Sequence, residues 1–76
     1  MLEEVTKLLA QQLKQDPSAI SPGASIRDDL GADSVDILML LMTLEEEKGI
    51  VLSEEELAGI VRVEDIVSTL AAHGIV

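Results

Sequence analysis

The 76-residue chain contains no cysteine, no phenylalanine, no tyrosine and no tryptophan, and a single histidine. Without cysteine there is no disulfide to staple a small fold, and one histidine cannot supply a structural zinc site of the usual ligand types. Without aromatic rings, the core falls to Leu, Ile, Val, Ala and the three methionines, side chains that repack more readily than rings. Two readings of such an interior stay open: a small aliphatic helical core, or one soft enough to part around an apolar guest.

Basic residues are scarce too, five against fifteen acidic, for a net charge of −10. Phosphate backbones and anionic bilayers are repelled by such a chain, so nucleic acid and anionic membrane surfaces are poor partners and no nucleic-acid partner is expected. A basic protein surface would instead be drawn in, although high charge also serves solubility alone. The longest apolar run, residues 37–42, is far short of the roughly 18 residues that span a bilayer, so membrane insertion is not expected. The opening "MLEEVTK" places an acidic pair where a secretory leader carries positive charge, and the expectation is a soluble, cytoplasmic chain. The length supports one domain over residues 1–76.

What is present reads as helix. Leu2, Val5, Leu9 and Leu13, with Leu8 beside them, recur at about one turn over residues 2–15, and Pro17 predicts a stop near Asp16. Residues 16–33 carry Pro17, Ser18, Ser21, Pro22, Gly23, Ser25 and Gly31, a long loop whose anchors Ile20, Ile26 and Leu30 favour packing over floppiness. A second helix begins at Asp33 or Ser34, both good caps, with Asp36 placed to answer Asp33, and runs to Lys48 before Gly49. "SEEEL" pairs Ser53 with Glu56 at the start of a short helix that Gly59 limits. The last helix starts near Val63, with Val63, Ile66, Val67 and Leu70 on one face, and ends at Gly74. Nothing alternates with period two for long enough to need a sheet. The expected fold is all-α: a four-helix bundle of three longer helices and a short third one, with a long first loop.

The second helix has two apolar stripes. Ile37, Leu40, Leu41 and Leu44 form one, assigned to the core. Val35, Leu38, Met39 and Met42 form the other, continuing into Glu45 and Glu46. A chain this small cannot bury both, so the second lies under the loop or faces a partner that offers a hydrophobic socket rimmed by Arg or Lys.

Ser34 introduces that helix. As a nucleophile it would need a base, but the one histidine, His73, lies near the far end of the chain, and "GADSV" lacks the flanking glycines of a nucleophile elbow. His73 suits the negative end of the last helix instead. Ser34 is therefore a cap and nothing more, or an attachment point for a phosphate-bearing group, which helix-end amides and the dipole would favour. Asp33 and Asp36 would repel that phosphate, a repulsion to be offset by the modifying enzyme or by a divalent ion. The acidic clusters at Asp28, Asp29, Asp33, Asp36, Glu45–Glu47 and Glu54–Glu56 do not have EF-hand spacing, and no dedicated metal site is expected from them.

"DLGADSVD" at 29–36 closely resembles the phosphopantetheine attachment motif of acyl carrier proteins, D-L-G-x-D-S-L-D, and the likeness extends over essentially the whole chain, through "TLEEEKGI", "SEEELAGI" and "VEDIVSTL". The resemblance implies a non-catalytic, monomeric carrier, with 4′-phosphopantetheine on Ser34 flanked by Asp33 and Asp36, bearing acyl groups as thioesters for fatty acid or related lipid or polyketide synthesis. Its partners would be a phosphopantetheinyl transferase and acyl-handling enzymes with basic docking surfaces. It implies docking through Val35, Leu38, Met39, Met42, Glu45 and Glu46, and an acyl cavity lined or bordered by Ile37, Leu40, Leu41, Leu44 and Ile60. Peptidyl, aminoacyl or D-alanyl cargo, or an unmodified acidic adaptor of the same fold, are the alternatives. The chain departs from the pattern at Met39, where synthesis carriers usually have Glu, and at Val35, Lys48, Val51, Ser53 and Arg62, the last leaving a weak cap on the final helix. A greasier docking face marks a specialised carrier with its own partner enzymes.

Overall fold

Four helices form in the computed structural model, which describes residues 2–75: α1 (Leu2–Leu13), α2 (Ser34–Lys48), the short α3 (Glu54–Ala58) and α4 (Val63–Ala72). This is the all-α bundle that the apolar spacing predicts. Val5 and Leu9 of α1, Leu40, Leu41 and Leu44 of α2, and Val63, Ile66 and Leu70 of α4 meet in one aliphatic core. Each is nearly or fully removed from water, and at about 25 cal/mol per Å² of apolar surface this is the main force holding so small a chain together.

The three long helices end in the same way. Lys14, Gly49 and Gly74 take left-handed backbone conformations, with φ of 55°, 66° and 80°. The following amides of Gln15, Ile50 and Ile75 then donate back to the carbonyls of Ala10, Glu45 and Leu70 at 2.9, 3.1 and 3.0 Å. These closures satisfy carbonyls that the helix leaves without partners. They also explain two boundaries that differ from expectation. α1 stops at Leu13, before Pro17 could act, because Lys14 accepts a conformation usually left to glycine. α4 stops at Ala72, with Gly74 as the left-handed residue beyond it rather than the last helical one.

The long connection is fastened at both edges. Ile20, Ile26 and Leu30 are buried as anchors, joined by Ala24 and Ala32. Pro17–Ala19 form a 3-10 turn capped by Asp16, whose carboxylate accepts from the Ser18 amide and is held below the usual carboxylate range by that bond. Farther on, the Ile26 amide donates to the Val61 carbonyl (2.9 Å) and the Val63 amide to the Ala24 carbonyl (3.1 Å). The loop is thereby stitched to the α3–α4 connection.

Capping fixes where α2 begins. Asp33 is the N-cap: its carboxylate accepts from the Asp36 amide (2.9 Å), and the Asp36 carboxylate accepts from the Asp33 amide (3.2 Å). Ser53 and Glu56 close the same box around α3. At α4 the carboxylate of Asp65 takes the amides of Arg62 (2.8 Å) and Val61 (3.1 Å), supplying the cap that the Arg62 side chain does not. Asp33→Ala should therefore lower stability by about 1 kcal/mol. Thermal unfolding followed by circular dichroism should show this as a drop of about 4–8 °C.

Candidate functional site

Ser34 is exposed, and as the first helical residue of α2 it is one position past the cap. Because Asp33 does the capping, the Ser34 hydroxyl is free of that duty. The contact the structure gives it is with Arg27, whose Nη2 donates to Ser34 Oγ at 2.9 Å. Of the two cap candidates in the sequence, Asp33 is thus the one used. The histidine is elsewhere: His73 Nε2 lies 2.7 Å from Glu56 Oε2, joining the end of α4 to α3. The Glu56 carboxyl is held below its usual range, chiefly by the Ser53 amide and to a lesser degree by His73. His73 is therefore engaged with Glu56 and is not the partner of Ser34.

Several contacts fix the start of α2 in place. From α1, Gln12 Nε2 donates to the Asp36 carbonyl (2.8 Å), and just past its end Gln15 Nε2 donates to the Leu30 carbonyl (2.7 Å). In the turn before the site, the Ser25 amide donates to Asp29 Oδ2 (2.7 Å), and the Asp28 amide donates to Ser25 Oγ (3.1 Å). Asp29 is accordingly spent on the turn rather than presented with Asp33 and Asp36. Among the described residues, no group of three or more His, Asp or Glu side chains is gathered to hold a metal ion.

The two stripes of α2 separate cleanly. Leu40, Leu41 and Leu44 are buried and Ile37 is half-buried, whereas Val35, Leu38, Met39 and Met42 are 51–61% exposed. The loop does not cover the second stripe. Its acidic continuation is uneven: Glu46 is exposed, but Glu45 is half-buried and its Oε2 accepts from the Leu52 amide at 2.9 Å. Glu45 thus holds the turn after α2 and is not the free charge its position suggested.

An open cleft of about 370 Å³ lies between α2 and α3, and Arg27, which contacts Ser34, stands on its wall. Ile37, Leu57, Ala58, Ile60 and Val61 supply its apolar lining, and Ser25, Arg27 and Asp28 its polar one. Of the five residues expected at a cavity, Ile37 and Ile60 border this cleft. Leu40 flanks a gap with no room for a water molecule, and Leu41 and Leu44 are buried in the core. The reason is packing: these three leucines are buried members of the one aliphatic core.

Arg27 is the site residue that motif reading passed over. A signal was available, since it is the sole basic residue between Lys14 and Lys48, set within Asp28, Asp29, Asp33 and Asp36. Gln12 and Gln15 left no such trace, because their role depends on how α1 packs.

The chain is thus a helical bundle that presents an exposed serine at the start of its second helix, with Arg27 joining that serine to the wall of a cleft. The family model for the phosphopantetheine attachment site matches residues 3–70, and the chain belongs to that family. It resembles a protein described as an acyl carrier protein of Mycobacterium tuberculosis, with a TM-score of 0.86 and 28% identity over 96% of this chain and 99% of that one. It also resembles the acyl carrier protein of Enterococcus faecalis, with a TM-score of 0.78 and 27% identity over 93% and 90% of the two chains. It is an acyl-carrier-like phosphopantetheine attachment domain, of a family that generally carries rather than catalyses. Among the described residues, no helix is long and apolar enough to cross a membrane.

Proposed function

We propose that the chain is a cytoplasmic acyl carrier whose Ser34 hydroxyl is esterified with 4′-phosphopantetheine, and that it serves fatty acid or related lipid or polyketide synthesis. The observation that carries this reading is the exposed Ser34 hydroxyl, released from capping by Asp33 and met by a guanidinium. The residues present suit the group: an accessible oxygen, first-turn amides of α2 that have no internal acceptor, and a partly apolar cleft with Arg27 on its wall. In the transfer, the Ser34 O–H bond breaks and an Oγ–phosphorus bond forms. The anhydride of coenzyme A opens, the remainder of coenzyme A leaves, and the transferase takes the proton. The bound arm supplies a terminal thiol that holds acyl groups as thioesters, a thiol this cysteine-free chain does not otherwise have.

The chain's own residues divide the remaining work. Asp33 and Asp36 orient the start of α2 and present acidic groups to basic side chains of the transferase. Val35, Leu38, Met39, Met42 and Glu46 form the docking face, with Glu45 supporting it through the turn. Acyl chains enter at Ile37 and Ile60 and part Leu40, Leu41 and Leu44, which an aliphatic core without rings permits. The apolar Met39 at the centre of the docking face suits partner enzymes particular to this carrier. Val35→Ala should raise the KM of a phosphopantetheinyl transferase about fivefold with kcat little changed, as loss of uniform binding requires.

The deciding experiment is incubation with coenzyme A and a broad-specificity transferase, followed by intact mass. A gain of one phosphopantetheinyl group supports the carrier reading. No gain would leave an unmodified acidic adaptor of the same fold.

A further inference from the structure

We propose that Arg27 is a positioning residue for the phosphodiester on Ser34, the built-in cation that lets an acidic surface accept one more negative charge. The proposal rests on Ser34 being the attachment point. Asp33 and Asp36 frame the serine, and Asp28 follows Arg27 in the preceding turn. A phosphodiester placed there adds charge of the same sign, and the repulsion falls on the helix start that the Asp33–Asp36 box must keep formed.

Lys48 and Arg62 are committed elsewhere. Lys48 Nζ sits 2.6 Å from Glu4 Oε2, and Arg62 Nη1 donates to the Gly23 carbonyl. Lys7 and Lys14 belong to α1 and the residue after it. Among the described residues, Arg27 is the cation that reaches Ser34, at 2.9 Å. The phosphorus would be bonded to the very oxygen that the guanidinium now contacts, so its free oxygens fall within reach of the same fork. Guanidinium and phosphate match in planar, two-pronged hydrogen bonding, and pairs of this kind are about twice as strong as neutral ones. Arg27 also lines the cleft, so holding the phosphate would aim the arm along that wall rather than into solvent.

The test compares melting temperatures of apo and loaded chains for wild type, Arg27→Gln and Arg27→Lys, each loading confirmed by intact mass. Comparing each variant with its own apo form cancels any effect of the substitution on the fold. In low salt, loading should lower the Arg27→Gln midpoint by about 4 °C more than it lowers the wild-type midpoint. Arg27→Lys should recover at least half of that difference, and 1 M salt, where screening acts over about 3 Å, should largely erase it. The phosphorus NMR signal should shift between wild type and Arg27→Gln as the guanidinium leaves. Equal apo-to-loaded shifts in all three chains would overturn the role of Arg27 alone. A wild-type chain that gains no mass would overturn the attachment reading, and this proposal with it.

Discussion

Ser34→Ala should abolish phosphopantetheinylation entirely, with no mass gain on prolonged incubation with coenzyme A and transferase, while the bundle stays folded. Both halves follow from where the helix begins. The serine is the first helical residue and Asp33 is the cap, so the substitution spares the box formed with Asp36. Alanine is the best helix former, and Ser34 is exposed, so little packing is lost. The hydroxyl's bond from Arg27 goes as well, but an exposed hydrogen bond contributes only about 0.5–1.5 kcal/mol, partly returned by the guanidinium's hydration. Stability should stay within about 1 kcal/mol of wild type. That would distinguish this variant from Asp33→Ala, which should lose stability and still be modified. If the Ser34→Ala chain gained the same mass as wild type, another hydroxyl would be the acceptor and the site would have to be moved.

Much of this was legible in the sequence because local rules and tertiary demands coincide. Asp33 with Asp36, and Ser53 with Glu56, are capping boxes by spacing alone, and both form. The separation of α2 into an inner and an outer stripe was readable from 3.6-residue periodicity. What periodicity could not decide was whether the long loop covered the outer stripe. That depends on backbone bonds from Ile26 and Val63 to Val61 and Ala24, pairings far apart in sequence that draw the loop toward α3 and α4 instead. The end of α1 was missed because a lysine holds the left-handed position, where sequence rules look for glycine. Glu45 was placed correctly on the wheel, yet its use in holding Leu52 is a matter of how the chain turns after Gly49. Arg27 belongs to the same class, since its contact with Ser34 exists only because the turn at 26–30 folds the loop back over the helix start.

The two stripes of α2 allow a direct test of that division, in which one chemical change is made on opposite faces of one helix. Leu41→Ala should destabilise the chain by about 3–4 kcal/mol, within the range for buried leucines that leave a cavity behind. Leu41 is 2% exposed and lies in the common core, with no aromatic neighbour to move in. At roughly 0.05–0.15 kcal/mol per residue, a chain this short has on the order of 4–11 kcal/mol in total, so the loss is a large share of it. The melting midpoint should fall by about 15 °C or more. Leu38→Ala, at a residue 51% exposed, should stay within about 0.5 kcal/mol of wild type, because leucine and alanine have similar helix propensity and little surface is uncovered. Its effect should appear instead as weaker engagement by the transferase. Urea unfolding of both variants measures the contrast, and equal losses would mean that the outer stripe is packed against the protein rather than presented to partners. If the inner leucines also part around an acyl chain, as proposed for this carrier, loss at Leu41 should weaken acyl-chain binding together with the bundle.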